Sequence, residues 1–287
     1  MGKLKIIECP RDAMQGVKTF IPTEKKVAYI NQLLKVGFDT IDFGSFVSPK
    51  AIPQMRDTAE VLSQLELGNT DSKLLAIVAN ERGATDAASH DEIQYLGYPF
   101  SISETFQQRN TNASIEESLG RLERINEIAL KANKELVVYI SMGFGNPYGD
   151  EWSPEVVINW SKRLNDTFGI KILALSDTIG VSKPSIITSL FETLIPALPQ
   201  VEFGAHLHST PHEYEEKVEA AYRAGCRRFD GAIKGFGGCP MAKDDLTGNM
   251  PTEGMIEWFK KEKIKTGINS DAFVKAYQLS GKTFPLI

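Results

Sequence analysis

The sequence predicts a (β/α)8 TIM barrel of the α/β class, a single domain over residues 1–287 with a helical C-terminal segment. Two observations predict it. Short runs rich in β-branched and apolar residues alternate eight times with longer helical patterns or loops. The turn after the first run, ECPRDAMQG, lacks the GxGxxG of an open doubly wound sheet, which is the competing architecture.

Each strand is predicted from an apolar run or from alternating polar and apolar residues. KLKIIEC begins the series, and KILALSD and VEFGAHLHS show the same short, buried character later in the chain. We expect the eight strands over residues 3–9, 38–46, 73–79, 98–104, 135–142, 171–177, 201–209 and 227–235.

The intervening helices are predicted from apolar residues at helical spacing and from their end signals. Ser114 with Glu117 forms a capping box, Ser153 precedes a proline at the first helical turn, and Gly225 closes another helix. We expect helices over residues 24–37, 51–65, 114–134, 153–169, 183–198 and 211–225, a poorly patterned one over 82–95, and two C-terminal ones over about 251–262 and 270–281.

Composition excludes several classes of protein. A net charge of −5 and the lack of a basic, aromatic stripe predict no nucleic-acid partner. No stretch approaches the roughly 18 apolar residues of a membrane span, so we predict no membrane partner. Three cysteines are too few for a disulfide scaffold and suit a reducing compartment, which together with the absence of a signal-like N-terminus predicts a cytoplasmic location.

Polar residues gather where the predicted strands end, which is where barrel enzymes place their chemistry. They are Arg11 and Asp12 after the first strand, Asp42 in the second, Asp177 in the sixth, His206 and His208 in the seventh, and Cys239 and Asn249 after the eighth.

The stretch GAHLHST holds two of the four histidines, and residues two apart in a strand face the same side. We therefore expect His206 and His208 to point into the barrel mouth as metal ligands. Closure of the barrel would bring Asp12 to the same point. An HxH pair alone is a weak motif, and one core histidine beside one loop histidine is the alternative.

Cys239 lies in GFGGCP, where three glycines favour a backbone that can bring a thiol close to a ligand. A loop cysteine beside a metal site is a candidate acid, base or nucleophile. The alternative is a thiol without a role in a turn.

The motifs together resemble the 3-hydroxy-3-methylglutaryl-CoA lyase family, which belongs to a barrel metallolyase superfamily that includes isopropylmalate, homocitrate and citramalate synthases. The stretches that carry the resemblance occur in family order over most of the chain. They are CPRDAMQ, SFVSPKAIPQM, NASIEES, LSDTIGV, AHLHST, GFGGCP and TGNMPTE.

The resemblance implies a role for each site residue. Asp12, His206, His208 and Asn249 match the ligands of a divalent cation, Mg²⁺ or Mn²⁺. Arg11 matches the arginine that stabilises the thioester enolate, and Cys239 the cysteine used in proton transfer, while His206 or Asp12 is the expected base. Asp42, Asp177 and Glu253 match acidic positions around the site.

The implied reaction is retro-Claisen cleavage of 3-hydroxy-3-methylglutaryl-CoA to acetyl-CoA and acetoacetate, in leucine degradation and ketone-body formation. The partner is then a small acyl-CoA, and the family suggests a homodimer. Alternatives are a Claisen-type synthase that joins acetyl-CoA to a 2-oxo acid, an aldolase acting on another hydroxy acid, and a non-catalytic metal-binding protein.

The chain departs from the family pattern at several positions. Asp42 is shorter than the glutamate expected there, and Ser209 replaces the aspartate that usually follows the second histidine, which weakens support for the metal histidines. Lys234, predicted at the barrel mouth, is expected to affect which acyl group is accepted. Ala13, Phe236, Met241 and Asn146 also differ from the usual residues.

Overall fold

A computed structural model describes residues 2–237 and 247–284 of the chain. Eight parallel strands close into a barrel, which confirms the predicted fold. Their order around the barrel is β1 (Lys5–Glu8), β2 (Thr40–Ser45), β3 (Lys73–Ile77), β4 (Ile93–Ser101), β5 (Glu135–Ser141), β6 (Ile172–Ser176), β7 (Glu202–His206) and β9 (Arg228–Gly231). Strand β9 pairs with both β7 and β1, so these three strands are neighbours.

Two short strands lie outside the barrel at its mouth. β8 (His208–Ser209) pairs antiparallel with β10 (Gly248–Asn249), and Asn249 stands opposite His208 in the register. The seventh predicted strand, 201–209, is therefore divided at Leu207. Its first part belongs to the barrel and its second part to this ribbon.

Eleven α-helices occur in the part of the chain that the structure describes. They are α1 (Pro10–Gln15), α2 (Thr23–Leu34), α3 (Thr58–Leu62), α4 (Glu81–Ala88), α5 (Glu104–Thr111), α6 (Ile115–Lys131), α7 (Pro154–Phe168), α8 (Pro184–Ala197), α9 (Tyr214–Arg223), α10 (Thr252–Lys261) and α11 (Ser270–Thr283).

The predicted end signals act as expected at the helices that follow β4 and β5. In α6, Ser114 Oγ accepts the Glu117 N–H while the Glu117 carboxylate accepts the Ser114 N–H. In α7, Ser153 Oγ accepts the Val156 N–H, and Pro154 occupies the first turn.

Three further predicted segments differ from the structure. The helix expected over 51–65 is broken into a 3₁₀ turn (Pro53–Met55) and α3, and Asp57 between them turns its carboxylate to Lys26 instead of continuing a helix. The helix expected over 82–95 ends at Ala88. Strand β4 begins at Ile93 rather than at residue 98 and continues through Gly97, so residues 93–95 belong to this strand and not to the expected helix.

Two apolar layers hold the barrel. The larger lies between strands and helices and includes Ile41, Phe43 and Phe229 from outward-facing strand positions. The smaller fills the barrel interior with residues of β3 to β6: Leu75, Ile77, Tyr95, Val137, Tyr139, Ile172 and Ala174. Strands β7, β9, β1 and β2 contribute polar side chains instead, so one half of the barrel interior is polar. No helix among residues 2–237 and 247–284 has the length and apolarity that a membrane crossing requires.

Candidate active site and metal centre

A cleft of about 460 Å³ opens at the mouth of the barrel, where the strands end. Its lining includes Arg11 and Asp12 from α1, Tyr139 of β5, and both His206 and His208. Predicted strand-end residues are thus brought together at the mouth, as expected for this fold. Arg11 and Asp12 lie in a short helix rather than at the end of β1, because Pro10 begins a helical turn directly after Cys9.

Asp12, His206 and His208 each present a potential ligand atom, and these atoms lie within 4.8 Å of one another. The Asn249 side-chain amide donates to Asp12 Oδ2 at 2.7 Å, so all four predicted ligands meet. His208 Nε2 is buried and has no hydrogen-bond partner among the described residues. A buried imidazole nitrogen without a partner, beside a carboxylate and a second imidazole, fits a divalent cation.

Strand geometry explains this convergence. His206 ends β7 facing the barrel interior, Leu207 packs into the outer apolar layer, and His208 faces inward again. Pairing with β10 then sets Asn249 beside His208. Asp12 reaches the cluster from the other side, because only β9 lies between β1 and β7 in the barrel.

The charges around the cluster favour its ligand forms. Burial alone would raise the pKa of Asp12, but Arg11 and the two histidines outweigh it and lower that pKa to about 2. Burial and the neighbouring His206 lower the pKa of His208 to about 4. At neutral pH Asp12 is therefore an anion and His208 a neutral imidazole, which are the forms that bind a cation.

Asp230 is a site residue that the sequence analysis missed. It is 1% exposed in β9, and its Oδ2 lies 3.1 Å from Nδ1 of His206. Burial lowers the pKa of His206, but the hydrogen bond and charge of Asp230 outweigh it and raise that pKa. The signal was an Arg228–Asp230 pair, two residues apart in a buried strand, which must share the inner face.

Arg11 is held rigidly by carboxylates. Its Nη2 lies 2.5 Å from Asp42 Oδ2, and its Nη1 donates to Asp12 Oδ1 at 2.8 Å. Burial raises the pKa of Asp42 to about 6 even though Arg11 opposes this effect. A fixed guanidinium at the cleft is suited to stabilising an anion that forms on a bound substrate.

Asp177 lies directly behind His208 rather than in the cleft. Its Oδ1 accepts the Val181 N–H at 2.8 Å and its Oδ2 accepts the Ser182 N–H at 3.0 Å, with Lys217 Nζ at 3.3 Å. The carboxylate therefore organises the turn after β6. The Ser209 hydroxyl is buried and unpartnered within the described part of the chain.

Glu253 stands apart from the cluster, in the first turn of α10, where its carboxylate accepts the Lys234 N–H at 2.9 Å. The side chain of Lys234 was expected at the barrel mouth, but it does not line the cleft. Its Nζ lies 4.7 Å from the ring centre of Tyr277 in α11, and its backbone has a positive φ of 65°. Cys239 lies outside the described residues.

A closed parallel barrel with an arginine, a carboxylate and two imidazoles converging at its mouth defines a barrel enzyme with candidate ligands for a divalent cation. The family model described as HMGL-like matches residues 3–279. The chain therefore belongs to the HMGL-like family.

Individual relatives agree with this assignment. A hydroxymethylglutaryl-CoA lyase of Bacillus subtilis is 35% identical over 269 residues, which are 93% of this chain and 88% of the relative. The solved HMG-CoA lyase of Brucella melitensis has a TM-score of 0.90 at 28% identity and covers 98% of this chain and 99% of its own. An HMG-CoA lyase of A. baumannii, solved with coenzyme A and 3-methylmalate, has a TM-score of 0.88 at 30% identity over 98% of this chain and 91% of its own.

Proposed function

We propose that this protein is a carbon–carbon lyase that cleaves 3-hydroxy-3-methylglutaryl-CoA to acetyl-CoA and acetoacetate, with Mg²⁺ or Mn²⁺ as cofactor. The observation that carries the proposal is the convergence of Asp12, His206 and His208 within 4.8 Å beside a fixed Arg11. The choice of substrate rests on the relatives, which are named for this reaction and align with more than nine-tenths of the chain.

Asp12, His206, His208 and Asn249 would hold the cation. Oxygen and imidazole nitrogen ligands suit Mg²⁺ or Mn²⁺, and the set lacks the thiolate that favours structural zinc. When bound, the cation supplies a Lewis acid that lowers the pKa of a coordinated hydroxyl and orients it.

The chain's own residues account for the proton and charge movements. The tertiary hydroxyl of the substrate loses its proton to a base, the adjacent C–C bond breaks, and the electron pair moves into the thioester enolate. The resemblance gives the base as His206 or Asp12. With a pKa near 2, Asp12 is a weak proton acceptor, and His206, whose Nδ1 bonds Asp230, could accept a proton only at Nε2 and only while that atom is not bound to the cation. Arg11 would donate hydrogen bonds to the enolate oxygen as negative charge develops on that oxygen.

The enolate carbon must then gain a proton to become acetyl-CoA. The family resemblance gives this role to Cys239. Changing Cys239→Ser is expected to lower acetoacetate formation strongly while Mn²⁺ binding stays as in the wild type. Cys226→Ser is the control, because Cys226 is buried just before β9 and does not line the cleft.

The deciding experiment is incubation of the purified protein with 3-hydroxy-3-methylglutaryl-CoA and Mg²⁺, followed by measurement of acetoacetate and acetyl-CoA. Equal amounts of both products, lost on treatment with EDTA and restored by Mn²⁺, support the proposal. Condensation of acetyl-CoA with a 2-oxo acid would favour the synthase alternative, and cleavage of a CoA-free hydroxy acid the aldolase. A non-catalytic binding protein predicts that neither product forms under any of these conditions.

The remaining parts of the proposal concern the substrate class, the metabolic role, the location and the oligomeric state. An acyl-CoA substrate is supported by the relative solved with coenzyme A. A role in leucine degradation and ketone-body formation, a cytoplasmic location and a homodimer stay predictions, and light scattering of the purified protein tests the last of them.

A further inference from the structure

Lys217 is a buried charge for which the proposed reaction has no use. It lies in α9, is 2% exposed, and its Nζ has three oxygen partners. They are Asp177 Oδ2 at 3.3 Å, the Gly180 carbonyl at 3.2 Å and the His208 carbonyl at 2.8 Å. A lysine is rarely buried so completely unless its partners compensate for the lost hydration.

The partners of Lys217 belong to the two segments that border the candidate metal centre on one side. Asp177 and Gly180 lie in the turn after β6, and His208 lies in the ribbon strand after β7. Through Asp177 the lysine also acts on the Val181 and Ser182 backbone, because the same carboxylate accepts both of their N–H groups. One ammonium group therefore joins the turn after β6 to the ribbon strand after β7, in addition to the backbone hydrogen bond that the Asp177 N–H donates to the His206 carbonyl.

The contact with His208 is the important one. Its imidazole faces the cluster with Nε2 unpartnered, and its backbone carbonyl is held from behind by Lys217. Fixing the backbone fixes the origin from which the imidazole projects, and displacements near 1 Å are enough to spoil a binding site. The hydroxyl of the adjacent Ser209 makes no hydrogen bond in the described chain that could do this instead.

We propose that Lys217 is a positioning residue that holds the backbone of His208 and the turn after β6 so that His208 can bind the divalent cation. The inference rests on the metal centre of the proposed function. It differs from a purely structural role, in which the buried pair with Asp177 stabilises the fold without affecting the affinity for metal.

The chain contains a matched control for this distinction. Lys26 in α2 is also 2% exposed, its Nζ lies 2.6 Å from Asp57 Oδ1, and it also donates to a backbone carbonyl, that of Gln54. None of its partners is a candidate metal ligand. Lys26→Met therefore reproduces the loss of a buried lysine–aspartate pair without touching His208.

The experiment compares wild type, Lys217→Met, Lys26→Met, Asp177→Asn and the double variant K217M/D177N. The Mn²⁺ dissociation constant is read from the electron paramagnetic resonance of free Mn²⁺, and thermal unfolding and amide hydrogen exchange are followed without metal. Lys217→Met is expected to weaken Mn²⁺ binding about 10- to 100-fold. It should also speed exchange of the Val181 and Ser182 amides, while Lys26→Met lowers the melting temperature only.

The outcomes separate the two proposals. Wild-type Mn²⁺ affinity in Lys217→Met, or equal weakening in Lys26→Met, overturns the positioning role and leaves the metal centre intact. Absence of Mn²⁺ binding in the wild type overturns both. If Lys217→Met does not fold, the double variant K217M/D177N is used, because it removes the unpaired carboxylate as well. Its Mn²⁺ affinity is compared with that of Asp177→Asn. Equal Mn²⁺ affinity in these two variants overturns the inference.

Discussion

His206 and Asp230 form a buried pair in which Nδ1 of the imidazole lies 3.1 Å from Oδ2 of the carboxylate. The bond fixes the ring orientation and leaves Nε2 free for the proposed cation, as carboxylates behind metal-bound histidines generally do. Asp230→Asn is therefore expected to weaken Mn²⁺ binding about 10- to 100-fold in a metal titration. Asp166→Asn, at an exposed position, should bind like the wild type. Unchanged Mn²⁺ affinity in Asp230→Asn would show that this carboxylate does not support metal binding.

The same pair predicts how metal binding depends on pH. A protonated imidazole cannot bind a cation, and the pKa of His206 is raised above its ordinary value of 6.5, despite burial, by Asp230. Mn²⁺ affinity should accordingly begin to fall at a higher pH than for an ordinary histidine as the solution is acidified. His208, with a pKa near 4, contributes only at lower pH. In Asp230→Asn the first fall should move to lower pH; an identical profile would contradict the assignment.

Arg11 has a proposed catalytic role and an observed structural one, and substitution can separate them. Arg11→Met removes the proposed oxyanion partner and leaves Asp42, which is fully buried, without its cation. We expect a loss of about 10²–10³ in kcat for acetoacetate formation. Breaking the buried pair should also lower the free energy of unfolding by about 3–5 kcal/mol at pH 8, where the carboxylate is ionised.

The double variant R11M/D42N provides the test. It removes the unpaired carboxylate, so urea unfolding should show much of the lost stability restored, while acetoacetate formation stays low. Recovery of activity together with stability would mean that Arg11 acts only through the fold.

Much of the fold was predictable because its signals are local. Alternating strands and the caps of α6 and α7 depend on residues within one turn of each other. The short helices α1 and α5 were missed because six to eight residues carry too little periodicity. The start of β4 was missed because residues 93–95 were assigned to the preceding, poorly patterned helix.

The candidate ligands were predictable for a different reason, since polar residues at strand ends can be found without knowing their neighbours. The residues that hold these ligands in position could not be predicted in the same way. Asp230 acts on a residue 24 positions away, and Lys217 is one of several charged residues in an amphipathic helix, where a solvent-exposed face is the usual interpretation. The contact of Lys234 with Tyr277 in α11 was likewise not predictable, because the two residues are far apart in the sequence.

Glu8 is a buried acid that supports the loop after β9. It is fully buried, with Oε1 accepting the Ile233 N–H at 2.9 Å and Oε2 accepting the Thr252 hydroxyl at 2.6 Å. Burial outweighs these two hydrogen bonds and raises its pKa from 4.5 to about 8, with Glu253 adding to the effect. Glu8 is therefore largely protonated in the folded protein at neutral pH.

This raised pKa predicts that stability falls as pH rises. Between pH 4.5 and 8 the folded state keeps a proton that the unfolded state has released, so Glu8 lowers the free energy of unfolding by up to about 1.4 kcal/mol per pH unit. Glu8→Gln does not titrate, yet its amide can still accept from Ile233 and donate to the Thr252 hydroxyl. Urea unfolding should give similar stabilities for both proteins near pH 5 and a more stable variant near pH 8. Glu123→Gln, at an exposed position, should follow the wild type. Parallel pH profiles for Glu8→Gln and the wild type would show that Glu8 is ionised in the fold, because a carboxylate that ionises alike in both states adds no slope.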